Sequence, residues 1–349
     1  MNLARLLEEA AQNFAEKPAL ISENQRISFN QLNASVNAVA NLLKQAGITK
    51  GDKVAILLPN VPEFVYSYFG AVKLGAVAVT LNTSSTSHEL FYFLENSEAK
   101  LLITTESARK KYMEIQQRLS TCKSLIAVDT DLPFKQAAAE GTLINPSLPL
   151  EADDPAVMIY TSGLTGKSLG AVLTHRNLYS QSGLVADILQ RTPNDRGLSL
   201  IPLFHSFGAT ANMIASLRAG CSVVMMDKFT MESLFCAIEK ERITYICAVP
   251  RLYLGMIFFA GAAGYNISSL DVCVAGGAPM PADFIPAFEK QFGAKILEGY
   301  GLTEAAPVLP LRAWAGPKSR VLSAPPFPAR PLKLLMKKDG SCRGAQSVS

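Results

Sequence analysis

The stretch Ile159 to Asn177 reads I-Y-T-S-G-L-T-G-K-S-L-G-A-V-L-T-H-R-N. An apolar run, Ala156, Val157, Met158 and Ile159, predicts a strand that enters a loop of Thr161, Ser162, Gly163, Thr165, Gly166 and Gly170. Glycine lets backbone N–H groups turn toward an anion, and Ser/Thr hydroxyls add donors. Such clusters are most often surface loops. A Walker loop needs glycine at 161, where this chain has Thr161, so Gly166-Lys167-Ser168 alone does not make one.

The order from Tyr160 through Gly170, followed by Leu173-Thr174-His175-Arg176-Asn177-Leu178, resembles the phosphate loop of adenylate-forming enzymes. Four further segments fit the same family. They are Ile201-Pro202-Leu203-Phe204-His205-Ser206-Phe207-Gly208, Ala248-Val249-Pro250-Arg251, Ala275-Gly276-Gly277-Ala278-Pro279 and Glu298-Gly299-Tyr300-Gly301-Leu302-Thr303-Glu304. Alone, His205 reads as a core histidine and the Gly276-Gly277 pair as a strand-to-helix turn. The last segment sets an aromatic face, a hydroxyl and a carboxylate beside glycines, groups that stack on a base, donate to phosphate and hold Mg²⁺.

Over about residues 1–308 the chain is similar to an acyl-CoA synthetase of the AMP-binding superfamily, most like bacterial long-chain fatty acid–CoA ligases. The resemblance implies a large α/β N-terminal domain with ATP, Mg²⁺ and CoA as cofactor and co-substrates and a fatty acid as substrate. It implies that Thr161, Ser162, Gly163, Thr165, Gly166 and Lys167 wrap the β- and γ-phosphates. Gly277, Ala278, Pro279, Gly299 and Tyr300 would frame adenine, and Thr303 would reach the α-phosphate. Glu304 would ligate the metal, and His205 would sit by the substrate carboxylate. Aryl-CoA ligases and peptide-synthetase adenylation domains share these motifs. A non-catalytic AMP- or acyl-binding module is the alternative from another class.

Three positions depart from the family pattern. Leu164 stands where it has Thr or Ser, Ser168 where it has Pro, and Leu169 where it has Lys. An isobutyl group cannot ligate a hard cation, and a lost phosphate counter-charge typically costs on the order of 10²–10³ in rate. Impaired ATP handling is therefore expected.

Composition sets the frame. The chain has 349 residues, 49% hydrophobic and 18% charged, which predicts a globular protein with a large core. No apolar run approaches the ~18 residues of a membrane helix, and acids at Glu8 and Glu9 break any leader pattern, so a cytosolic protein is expected. Peripheral membrane contact and oligomeric state stay open. The cysteines form no C-x-x-C pair and read as buried thiols.

Ser28 predicts a cap for a helix ending at Gly47, and Thr86-Ser87-His88-Glu89 has capping-box spacing. Strands are expected at Val54–Leu58, Ala76–Thr80, Leu101–Thr104, Leu125–Val128, Cys221–Met226, Thr244–Val249 and Val272–Ala275. Helices are expected at Glu63–Leu74, Asn177–Leu189, Met231–Glu241 and Pro281–Phe292. The alternation predicts parallel β-α-β units. Residues 130–153 read as a linker, and a second lobe of similar architecture is expected beyond it.

After Val308 the family pattern stops. Residues 309–349 carry eight Lys/Arg and one acid, against a net charge of +4 for the whole chain. They read as a disordered tail. Permitted codons for Gly316–Arg343, read from their third base, allow S-E-K-P-G-S-I-G and onward, the family's continuation. A frameshift between about Val308 and Gly316 is thus expected, with the basic charge accidental and nucleic acid no partner; a real basic arm that binds an anionic partner is the alternative.

Overall fold

The computed structural model describes residues 2–23, 25–146, 148–161 and 168–306. Ser162, Gly163, Leu164, Thr165, Gly166 and Lys167, and everything from 307 onward, lie outside the described residues, so the expected tail does too.

Among the described residues the strands form two sheets. The first runs β13 (Lys295–Gly299), β12 (Val272–Gly276), β11 (Tyr245–Ala248), β9 (Arg196–Ser199), β10 (Ser222–Met225), β1 (Pro18–Ser22) and β2 (Gln25–Ser28). The second runs β6 (Ser124–Ala127), β5 (Ala99–Thr104), β3 (Lys53–Leu57), β4 (Val77–Thr80), β7 (Pro155–Thr161) and β8 (Leu169–Thr174). Neighbours are parallel except β1–β2 and β7–β8. The expected α/β class holds.

The expectation of one lobe before residue 130 and another after 153 is corrected. Strand β1, from the N-terminal segment, pairs with β10 of the later sheet, while β7 and β8 rejoin the earlier one. Alternation of elements gives the class but not which strands meet. Residues 130–153 also contain a helix, Leu132–Glu140, rather than loop alone. Pro133 sits in its first turn, where no N–H is needed, and the Asp131 side chain accepts from Phe134 N at 2.8 Å. The helix expected from Pro281 starts later, and runs Phe284–Phe292.

The helices, in chain order, are α1 (Arg5–Asn13), α2 (Phe29–Gln45), α3 (Pro62–Lys73), α4 (Ser87–Ser97), α5 (Glu106–Met113), α6 (Leu132–Glu140), α7 (His175–Ile188), α8 (Ala215–Arg218), α9 (Met231–Glu241), α10 (Pro250–Phe258) and α11 (Phe284–Phe292). Ser28, Thr86 and Thr174 each form a full capping box, with Gln31, Glu89 and Asn177. Helix α3 is buried on every side, as an apolar helix between two layers must be. It packs on α2 and touches β3 and β4, while α2 touches β1 and β2. A Cβ at Gly70 would lie 3.1 Å from Val39 Cγ1, so glycine sets the α2–α3 approach. One apolar core thereby joins residues of both sheets, among them Leu20, Val223, Val54 and Ala78.

Two buried polar groups fasten the N-terminal segment to this core. Lys73 Nζ donates to Glu8 Oε1 at 2.8 Å and to Asn37 Oδ1 at 2.7 Å, tying α1, α2 and α3 together. His175 Nδ1 accepts from Leu3 N at 3.1 Å, so the ring proton is on Nε2, which is buried with no partner among the described residues. Burial pushes the His175 pKa from 6.5 to about 4. The folded value lies below the unfolded one, so the unfolded chain takes up this proton first as pH falls. The stabilisation is complete above about pH 7 and declines as pH drops from 6.5 toward 4. Chemical denaturation at pH 7 and pH 5 should show the wild type losing about 2 kcal/mol more than His175→Asn.

Candidate functional site

The site assembles where the two sheets' C-terminal edges meet. Thr161 closes the β7–β8 hairpin opposite Leu169, and its Oγ1 lies 3.4 Å from the Leu169 carbonyl. Leu169 therefore holds a strand-pairing position at the foot of the loop. Helix α4 grips both stems. Tyr92 OH donates to Ser168 O at 2.7 Å, and Tyr160 OH reaches Asn96 Oδ1 at 2.8 Å. Strand β8 packs against the turn Thr303–Ala305. The hydroxyl-rich hairpin and the aromatic-acid segment thus meet, although the loop's tip, Ser162 to Lys167, lies outside the described residues.

A cavity of about 70 Å³ is bordered by His205, Gly277, Gly299, Tyr300 and Thr303. These five positions come from three separated sequence motifs, and the fold brings them together. Ala278 and Pro279 are exposed on the adjoining turn and do not border it. Glu304 is half-buried beside Thr303, off the cavity, and makes no ion pair with another described residue. A lone carboxylate fits a cation such as Mg²⁺, which keeps its waters and takes few protein ligands.

Local structure explains these placements. β12 and β13 pair Gly276 with Gly299, which brings the two glycine turns side by side. Gly277 has φ +82°, a conformation that favours glycine. A Cβ on Gly276 would come within 2.8 Å of the Phe207 ring, so the ring packs directly on backbone. Glu298 Oε1 accepts from Met280 N at 3.1 Å and fixes the turn's far end.

His205 lies on the turn between β9 and a π-helical segment, Gly208–Ile214; such segments recur at functional sites. Its Nδ1 accepts from Phe207 N at 3.3 Å, which leaves the proton on Nε2. His205 is partly exposed, yet the protein around it strips enough hydration to lower its pKa. A neutral imidazole with a free N–H is a donor suited to a carboxylate oxygen.

The turn is mounted from the other sheet. Buried Asn60, just after β3, accepts from Leu203 N at 2.8 Å and donates to Ile201 O at 3.1 Å and Ser199 O at 3.3 Å. Thr80 Oγ1, at the end of β4, donates to Phe204 O at 2.9 Å. Ser206, 1% exposed, places its Oγ 3.1 Å from Thr303 Oγ1. Sequence reasoning passed over Asn60, Thr80, Tyr92 and Ser206. Pro59-Asn60 after a buried strand reads as a turn signal, but nothing local shows which backbone that amide serves. The cavity floor is apolar: Val185, Leu189, Ala211, Cys247 and Val274. Burial pushes the Cys247 thiol up to about 12, so it is an un-ionised wall.

Comparison with known proteins gives the family. The chain is 29% identical over 340 residues to a long-chain-fatty-acid–CoA ligase of Bacillus subtilis (strain 168), covering 88% of this chain and 60% of that protein. It is 33% identical over 316 residues to 4-coumarate–CoA ligase 3 of Arabidopsis thaliana, covering 86% of this chain and 55% of that protein. The chain thus spans less than two thirds of the length of these relatives. The crystal structure of the N-terminal domain of FACL13 from Mycobacterium tuberculosis superposes with a TM-score of 0.82 at 29% identity, covering 87% of this chain and 77% of that one. The sequence profile described as "AMP-binding enzyme" matches residues 7–342, more than half of the chain. The chain belongs to the AMP-binding enzyme family.

Proposed function

We propose that this cleft binds ATP and a carboxylic acid side by side and activates the acid as its acyl-adenylate, the first half of acid–CoA ligation. One observation carries the reading. His205, from the first sheet's central turn, and Thr303, against the phosphate-loop hairpin, border one cavity. Donors for a carboxylate and for an α-phosphate therefore lie next to each other, with an apolar floor for the acid's tail. In-line attack of the carboxylate oxygen on the α-phosphorus, with pyrophosphate leaving, needs mainly positioning and charge neutralisation.

In this reading His205 Nε2–H holds the carboxylate and Thr303 the α-phosphate. Thr161, Ser162, Gly163, Thr165, Gly166 and Lys167 take the β- and γ-phosphates. Gly277, Ala278, Pro279, Gly299 and Tyr300 frame adenine; Tyr300, 65% exposed, has a ring face free to stack. Glu304 would hold Mg²⁺, which would supply positive charge to offset that of the phosphates. CoA is the proposed acceptor in the second half-reaction. Leu164 and Leu169 supply neither a ligand nor a counter-charge, so turnover is slow relative to binding, and a binding module without turnover is the second functional reading.

The acid is a fatty acid by overall likeness, with the Bacillus relative as support. The Arabidopsis 4-coumarate–CoA ligase relative supports a second class, an aryl acid. A cavity of about 70 Å³ is tight for either kind of acid, so both need it to widen on binding.

Calorimetry with acyl-sulfamoyladenosines tests the assignment. Octanoyl and benzoyl forms should bind the full chain more tightly than AMP by at least tenfold, and equal affinities would refute an acyl site. Gly276→Ala should weaken both acyl forms by tenfold or more, because the new methyl drives the Phe207 ring into the cavity. Pyrophosphate exchange checks the loop. Leu164→Thr with Leu169→Lys should raise the rate by about 10²-fold, and an unchanged rate would mean that these positions do not limit catalysis.

A further inference from the structure

We infer that Ser206 is a positioning residue for nucleotide binding. Its buried hydroxyl fixes the Thr303 hydroxyl and aims that proton at the α-phosphate. The inference rests on the nucleotide reading above. A hydroxyl has one proton and two acceptor lone pairs. Ser206 is shut from solvent, while Thr303 is half-buried and borders the cavity. Their oxygens lie 3.1 Å apart. When Ser206 donates to Thr303 Oγ1, the Thr303 proton is released toward the cavity, giving a directed relay from Ser206 through Thr303 to an anion. The reverse direction would spend the Thr303 proton on the serine.

The serine can hold this aim because its own turn cannot drift. Asn60, just after β3, and Thr80, on β4, take up the carbonyls of Ser199, Ile201 and Phe204 and the N–H of Leu203. The same turn carries His205, so a single mount sets the heights of the carboxylate donor and of the α-phosphate donor. Misplacing a reacting group by a fraction of an ångström is costly, and a rigid shared support avoids it.

The experiment compares AMP with adenosine, which has the same base and ribose but no phosphate. Affinities of the full chain are measured for wild type, Ser206→Ala, Thr303→Val and the double variant. Ser206→Ala should weaken AMP five- to tenfold and leave adenosine within twofold. The double variant should bind AMP no worse than Thr303→Val, because the two hydroxyls act as one unit. Thr80→Val, which loosens the mount from the opposite sheet, should show the same AMP-selective loss and serves if Ser206→Ala fails to fold. Equal losses for AMP and adenosine, or losses that multiply in the double variant, would mean a merely structural serine and overturn the inference. A wild type that binds neither compound would instead overturn the nucleotide reading, and the inference with it.

Discussion

The structure depends on one side-chain amide. Asn60 leaves the end of a strand in one sheet and satisfies three backbone groups of a turn that belongs to the other. Those groups are deep in the molecule, where an unmet carbonyl or N–H costs roughly 1–3 kcal/mol. The amide therefore stabilises the fold and sets the register between the sheets in a single act. The Thr80 bond to Phe204 O repeats the device one strand over. An apolar layer also joins the sheets, but such a layer alone does not fix their relative height.

That height matters because the site draws on both sheets. The first sheet supplies the glycine turns after β12 and β13 and the His205 turn after β9. The second supplies the β7–β8 hairpin. Ligands of open α/β sheets collect beyond the carboxyl ends of the strands, and here two such edges face the same space. The groups proposed to recognise base, phosphate and acid come from segments far apart in the chain, so packing rather than sequence proximity brings them together.

Much of this was legible in the chain. Ser28, Thr86 and Thr174 announce helix starts because their partners three residues on are local in sequence. Short apolar runs such as Val54–Leu57 give buried strands for the same reason. The site motifs were legible as motifs, and His205, Gly277, Gly299, Tyr300 and Thr303 do converge. Three features were not legible. Pro133 reads as a breaker until its place in a first turn is known. The strand order depends on long-range pairing, so the N-terminal hairpin's membership of the later sheet leaves no local trace. The roles of Asn60, Thr80 and Ser206 lie in contacts 97 to 143 residues away, which no periodicity encodes.

The central claim is that the hairpin at Thr161 and the segment at Tyr300 belong to one nucleotide site. Photolabelling with 8-azido-ATP, followed by peptide mapping, tests it most directly. The account predicts label, displaced by AMP, in peptides containing Gly276–Met280 or Glu298–Leu302. Displaceable label confined to peptides remote from these turns, such as those of helix α5, would contradict it.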